Sequence, residues 1–166
     1  MTDRSVIHDT FSLERTYPAT PSRVFAAFAS VEAKNEWGAT SEVKPSDDIE
    51  EFDFRPGGRE RFTVMRRDTT YRSDALYYDI VPDQRIVYSY EMYADGVRIS
   101  VSIATIELVK SAGGTTVIWT EQGTYLDGID GVHAPALRVG GTEELLDSLT
   151  RYLRDTASGH IDTKEP

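Results

Sequence analysis

The sequence predicts an α+β fold, in which a curved antiparallel sheet of about six to seven strands wraps around a long C-terminal helix. Segments of alternating apolar and polar residues follow one another through the middle of the chain, and turn sequences separate them. This arrangement is typical of antiparallel strands linked by hairpins. Helical patterns are confined to a stretch after the first strand and to a stretch near the C-terminal end. Their segregation favours helices packed on one face of the sheet.

The first strand and two short helices are predicted near the N-terminal end. Residues 6–17 approximate the period-2 alternation of a strand. Thr20 is the expected N-cap of the first helix, and Pro21 is its first residue, since proline is preorganised for that position. A second short helix is predicted over residues 30–37, with Ser30 as its cap and Gly38 as its end.

Six further strands are predicted from apolar alternation and from the turns between them. They are residues 52–54, 62–64, 71–81, 85–93, 97–110 and 115–125, and the turn sequences include Arg55-Pro56-Gly57-Gly58 and Gly113-Gly114. In the strand over residues 97–110 the apolar phase shifts by one residue before Ile106. This shift predicts a β-bulge near Ala104-Thr105.

The C-terminal helix is predicted to follow a 15-residue loop over residues 127–141, which is rich in glycine. Thr142 is the expected cap, and Gly159 marks the expected end. The helix carries one apolar stripe, formed by Leu145, Leu146, Leu149, Tyr152 and Leu153. A strongly twisted sheet can curl around this stripe and leave a pocket between the two layers.

Composition excludes several classes of function. The chain has 166 residues, which predicts a single domain over residues 1–166. Its net charge of −10 argues against binding to nucleic acid or to anionic membrane surfaces. The sequence has no cysteine, no signal-peptide pattern and no apolar run long enough to cross a bilayer. We therefore expect a cytoplasmic protein with no metal and no cofactor.

Several local sequences, taken in order, resemble the SRPBCC (START-like, helix-grip) superfamily. They are Val24-Phe25, Trp37, the Arg-Pro-Gly-Gly turn at 55–58, IVPDQRIVYSY at 80–90 and GGTTVIWTEQG at 113–123. Within the superfamily they are most similar to homologues of the activator of the ninety-kilodalton heat-shock protein's ATPase. The resemblance covers nearly the whole chain and implies the helix-grip fold. One departure is Gly140-Gly141, where the family often has Gly-Trp.

Aromatic residues are the main candidates for a ligand cavity. The chain has nine Tyr, six Phe and two Trp, and many of them fall on predicted strands. Tyrosine combines an apolar ring with a polar tip and therefore suits a pocket for an amphipathic molecule. The resemblance places Trp37, Tyr90 and Trp119 near the cavity. The full predicted lining is Trp37, Phe62, Tyr78, Tyr88, Tyr90, Val117, Trp119, Glu121, Leu145, Leu149 and Tyr152.

Glu121 is the candidate for chemistry, because it shares a strand face with Val117 and Trp119. Inside an apolar space, desolvation would raise the pKa of its carboxyl group and suit it to acid or base catalysis. The alternative is an ion pair, with Arg61, Arg98 or Arg138 as the partner. His133, in the predicted loop, is the histidine that could reach the pocket mouth.

Three functions are compatible with the sequence. The leading one is the binding of a small hydrophobic or aromatic molecule between the sheet and the C-terminal helix. The second is an enzyme of cyclase or hydrolase type acting on such a molecule, with no catalytic residue assigned. The third is a co-chaperone-like domain that binds another protein. A homodimer is also compatible, because exposed strands can pair.

Overall fold

The computed structural model describes residues 4–38 and 49–158, and these residues form the predicted α+β architecture. The elements are β1 (Val6–Tyr17), α1 (Pro21–Ala29), α2 (Val31–Trp37), β2 (Ile49–Phe52), β3 (Arg59–Arg66), β4 (Thr69–Val81), β5 (Arg85–Ala94), β6 (Val97–Ser111), β7 (Gly114–Leu126) and α3 (Ala134–Ser158). None of the helices within these ranges is long and apolar enough to cross a membrane.

The seven described strands form one curved, unclosed antiparallel sheet in the order β1-β7-β6-β5-β4-β3-β2. Strands β2 to β7 pair with their neighbours in chain order, as the hairpin turns predict. The first strand completes the sheet beside the last one, from Val6 opposite Leu126 to Tyr17 opposite Thr115. The predicted helix-grip fold is therefore confirmed.

The two short helices begin where the capping pattern predicts. Thr20 Oγ1 accepts a hydrogen bond from the backbone N–H of Arg23 at 3.2 Å, and Pro21 is the first helical residue. Ser30 Oγ accepts one from the backbone N–H of Ala33 at 3.2 Å. Each cap pairs a backbone donor that the first helical turn leaves free.

The prediction of a long loop before the C-terminal helix is wrong. The helix α3 already begins at Ala134, so only residues 127–133 connect it to β7. Gly140 lies inside the helix, and Thr142 is not a cap, because its hydroxyl donates to the carbonyl of Arg138 one turn earlier. Glycine costs a helix about 1 kcal/mol relative to alanine, and here packing of the helix outweighs that cost. The predicted end at Gly159 lies outside the described residues.

The prediction of a bulge near Ala104-Thr105 is also wrong. The pairing of β6 with β7 runs without a break from Ser100 to Ser111. The register shift lies earlier, in the pairing of β5 with β6, where Ile99 is the additional residue. As a result Ser100 and Ser102 point inward, whereas the apolar residues that suggested the phase, Val101 and Ile103, are exposed.

The hydrophobic core lies between the sheet and the C-terminal half of α3. Leu146 and Leu149 of α3 and Val117 of β7 are fully buried there. Burying each of these side chains contributes roughly 1.5–3 kcal/mol. The Tyr17 hydroxyl donates to the Leu146 carbonyl at 3.0 Å and joins β1 to α3. The core therefore fixes one half of the helix against the sheet.

Candidate functional site

A cavity of about 620 Å³ lies between the concave face of the sheet and the N-terminal half of α3. Small side chains leave this space open. Ser73 and Ala75 on β4 face the cavity and lie opposite Met92 and Tyr90 on β5. The helix adds Gly141 to the lining. The volume is within the range of roughly 300–1,000 Å³ that is usual for small-molecule sites.

The mouth of the cavity is charged. Exposed residues at the rim include Arg67 on the turn after β3, together with Leu137 and Glu144 on α3. Across the opening, Arg66 Nη2 lies 3.8 Å from Glu144 Oε1 and links β3 to the helix. The interior is more apolar than this rim, since aromatic side chains from several elements form its walls.

Most of the predicted lining residues border this cavity. They are Trp37, Phe62, Tyr88, Tyr90, Trp119, Glu121 and Leu145. Val117 and Leu149 are instead fully buried in the core, and Tyr152 packs against that core. These three residues support the helix and the sheet but do not face the cavity.

The prediction that Tyr78 lines the cavity is wrong. Its side chain is 59% exposed, whereas its neighbour Tyr77 is buried. The pairing of β4 with β5 shifts register between Tyr77 and Asp79, so that Tyr78 is an additional residue. Tyr78 alternates with Ser73, Ala75 and Tyr77, which are buried on the inner face, and its side chain therefore lies on the outer face of the sheet. The register shift changes the phase after Tyr78, so that Ile80, two residues later, packs against the core.

Glu121 lies at the centre of a buried hydrogen-bonded cluster. Its carboxylate is only 1% exposed. One oxygen, Oε1, accepts from the Tyr90 hydroxyl at 2.5 Å and from Arg138 Nη1 at 3.2 Å. The other oxygen accepts from Trp119 Nε1 at 3.3 Å. Burial raises the pKa of the Tyr90 hydroxyl well above its ordinary value, so Tyr90 acts as a neutral donor.

Arg138 is the counter-ion of Glu121. It is one of the three arginines that the sequence offered as possible partners. Arg61 pairs with Asp74 and Arg98 with Glu91, both away from Glu121. Arg138 also donates to Ser100 Oγ at 2.7 Å and to the Tyr90 hydroxyl at 2.7 Å. Burial by itself would lower the pKa of the guanidinium, but the neighbouring Tyr90 and Glu121 outweigh it and raise the pKa. The guanidinium of Arg138 therefore stays charged beside the carboxylate.

A second buried carboxylate, that of Glu60 on β3, was missed by the sequence analysis. It is only 4% exposed and lines the cavity. Its Oε2 atom accepts from Lys34 Nζ at 2.5 Å and from the Tyr77 hydroxyl at 2.5 Å. One signal could have found it: Glu60 is in phase with Phe62, which was predicted to face inward. A strand face that carries Phe62 also carries Glu60.

Three tyrosines connect the two carboxylates. The ring centroids of Tyr77 and Tyr88 are 5.8 Å apart, and those of Tyr88 and Tyr90 are 5.9 Å apart. The outer two donate to Glu60 and Glu121, whereas the hydroxyl of Tyr88 makes no hydrogen bond to any residue within 4–38 or 49–158. Burial raises the pKa of Tyr88 well above its ordinary value. The middle tyrosine thus offers an unused, neutral hydroxyl group to the cavity.

His133 is exposed at the start of α3 and is not part of the cavity lining. Across the described ranges, no group of three or more His, Asp or Glu side chains is arranged to hold a metal ion. The cavity wall holds two carboxylates with their cations, and tyrosines lie between the two carboxylates.

A curved antiparallel sheet that grips a long helix, with a cavity between them, defines the helix-grip class of domains. Within this class, the model of the family described as Activator of Hsp90 ATPase homolog 1-like protein matches residues 18–154. The chain belongs to this family. A search of proteins with curated functions found no match.

Solved structures of bacterial proteins have the same fold. An uncharacterised protein from Rhizobium leguminosarum is 40% identical, with a TM-score of 0.82 over 93% of this chain and 99% of that one. The Mll3558 protein from Rhizobium loti is 42% identical, with a TM-score of 0.75 over 89% and 99% of the two chains. A protein from Chromobacterium violaceum, at 24% identity and a TM-score of 0.73 over 87% and 96%, shares the fold.

Proposed function

We propose that this protein binds a small hydrophobic or aromatic molecule in the cavity under the N-terminal half of α3. The cavity itself carries the proposal, since its volume of about 620 Å³ is lined by aromatic rings and contains a few buried polar groups. Sites of this composition gain affinity from apolar burial and orientation from the polar groups. Small residues such as Ala75 keep the space open although a larger side chain would bury more apolar surface.

The polar groups favour binding over catalysis by Glu121. Both oxygens of Glu121 already accept hydrogen bonds, and Arg138 neutralises its charge. A general acid or base must reach the reacting proton directly or through one water. Glu121 in this arrangement is better suited to fixing Tyr90 and Trp119 in the cavity wall than to proton transfer.

A protein-binding role, as the family description suggests for its namesake, is the second candidate. One observation favours it: Val101 and Ile103 lie side by side on the outer face of β6 and are 39% and 48% exposed. Apolar surface of this kind is found where another protein binds. Val101 and Ile103 border a groove that is more open than the cavity, together with His8 and Gln122.

Native mass spectrometry of protein purified without detergent tests the first proposal. We expect a reproducible additional mass on the wild type, or a thermal shift with naphthalene as a simple aromatic probe. Ala75→Leu should narrow the cavity and weaken both signals, because Ala75 is buried in its wall. Ala112→Leu, at the exposed β6–β7 turn, is the matched control and should retain them.

No additional mass and no thermal shift with the wild type would contradict the binding proposal. Equal signals from the wild type and Ala75→Leu would contradict it as well, because the probe would then bind elsewhere. Circular dichroism of both variants checks that the sheet and helix are intact. Either of the two contradicting results would make the protein-binding role the better supported function.

A further inference from the structure

The two buried carboxylates of the cavity differ in their unused hydrogen-bonding capacity. Both oxygens of Glu121 have donors. In Glu60, Lys34 and Tyr77 both bind Oε2, and Oε1 makes no hydrogen bond to any residue of the described ranges. An unpaired polar atom on a side chain that is only 4% exposed is costly unless water or a ligand satisfies it. Glu60 therefore presents an acceptor to the cavity.

Tyr88 presents the complementary group. Its ring lies between those of Tyr77 and Tyr90, and its hydroxyl has no partner among the described residues. A phenolic hydroxyl both donates and accepts. The cavity thus contains one free carboxylate oxygen on β3 and one free hydroxyl group on β5, and β4 lies between these two strands.

The charges in the wall restrict what these groups can bind. Lys34 already neutralises Glu60, and Arg138 already neutralises Glu121. A cationic ligand at Glu60 would place a second positive charge beside Lys34. The Lys34 side chain is only 18% exposed, so water would screen this repulsion poorly. An anionic ligand would lie against two carboxylates whose counter-ions are occupied. Charges that are desolvated without a new partner weaken binding, so a neutral ligand fits best.

We infer that the cavity takes a neutral, hydroxylated aromatic molecule, whose hydroxyl donates to Glu60 Oε1 while an oxygen of the same molecule accepts from the Tyr88 hydroxyl. This inference rests on the proposed binding function and specifies its ligand class. The flat aromatic walls formed by Trp119, Tyr90 and Phe62 provide the contacts for the ring. The Glu60 carboxylate favours ligands that carry a hydroxyl over those that do not, because a hydrogen bond to a charged acceptor is stronger than one to a neutral acceptor.

The test compares four probes of similar size by fluorescence titration: naphthol, methoxynaphthalene, naphthalene and naphthoate. Naphthol should bind about 10-fold or more tightly than methoxynaphthalene, which lacks the donor. Naphthoate, the anion, should bind more weakly than naphthalene. Equal affinity for naphthol and methoxynaphthalene would overturn the inference while leaving the binding function intact. No binding of any probe would overturn both.

Variants locate the effect at the two residues. Tyr88→Phe breaks no hydrogen bond of the described protein and should fold normally, and it should weaken naphthol binding about 3- to 10-fold. The matched control is Tyr78→Phe on the exposed face of the sheet, which should change nothing. Glu60→Gln should abolish most of the preference for naphthol. Lys34→Met/Glu60→Gln, which leaves no buried lysine unpaired, provides the same test if the single variant is unstable. An unchanged preference in Tyr88→Phe and in the folded Glu60 variant would refute the assignment.

Discussion

Removal of Arg138 is the sharpest test of how the cavity wall is held together. The change Arg138→Met keeps much of the side-chain volume but deletes the guanidinium. Glu121, only 1% exposed, would lose its counter-ion, and Ser100 and Tyr90 would each lose a donor at 2.7 Å. Removing one partner of a buried ion pair costs about 3–5 kcal/mol. Because the cavity can admit water to Glu121, we expect a cost of about 3 kcal/mol, at the lower end of that range.

Urea unfolding measures this cost, with the fluorescence of the buried Trp37 and Trp119 as the probe. For a slope of about 2 kcal/mol per molar, a loss of about 3 kcal/mol lowers the midpoint by about 1.5 M. The matched control is Arg98→Met, since the Arg98–Glu91 pair has side chains that are 51% and 38% exposed. An exposed pair of this kind contributes at most about 1 kcal/mol.

The double variant Arg138→Met/Glu121→Gln separates the ion pair from the packing of the arginine. It should be more stable than Arg138→Met alone, because no unpaired charge is left in the cavity wall. The reasoning is refuted if Arg138→Met costs no more than Arg98→Met, or if the second substitution restores no stability.

Two further predictions concern the helix and the tyrosines. Gly140→Ala should raise the free energy of unfolding by about 0.5–1 kcal/mol, since the residue is helical and an added Cβ meets no other atom. The control Gly114→Ala should lower the free energy of unfolding, because the φ angle there is +124° and the added Cβ would collide with the Tyr17 carbonyl. A loss of stability in Gly140→Ala would contradict a continuous helix. Stability should also fall above about pH 10, because unfolded tyrosines ionise there while burial keeps the folded ones neutral, each contributing up to about 1.4 kcal/mol per pH unit. The residues whose pKa burial raises well above the ordinary value are Tyr17, Tyr77, Tyr88 and Tyr90. Urea midpoints at increasing pH and the phenolate absorbance measure this effect, and ionisation of all nine tyrosines together near pH 10 would contradict it.

The architecture was predictable because its signals are local. The caps at Thr20 and Ser30 satisfy backbone donors three residues away, and the turn sequences join strands that are neighbours in both sequence and sheet. Much of the cavity lining followed in the same way, since residues such as Tyr88, Tyr90 and Trp119 keep the alternation of their strands. The resemblance of the quoted motifs to a known family identified the fold as the helix-grip type, as the family match confirms.

Local pattern failed where one residue changes the phase of a strand or where packing outweighs propensity. The additional residues at Tyr78 and Ile99 lie within strands and have no distinctive side-chain chemistry. The glycines before Thr142 favour a loop by propensity, but α3 continues through them. In each case the local structure depends on contacts with other strands and helices. Residues that are neighbours in the sequence give no information about those contacts.

The sequence by itself determined the hairpin-linked order of β2 to β7, the starts of α1 and α2 and the apolar stripe of α3, because periodicity and capping depend on residues a few positions apart. Only the tertiary structure decided which charges meet inside the cavity. Arg138 and Glu121 are 17 residues apart, and Lys34 and Glu60 are 26 apart, on different elements. Burial makes each of these groups require a partner, but the curvature of the sheet and the position of the helix choose which partner lies within reach.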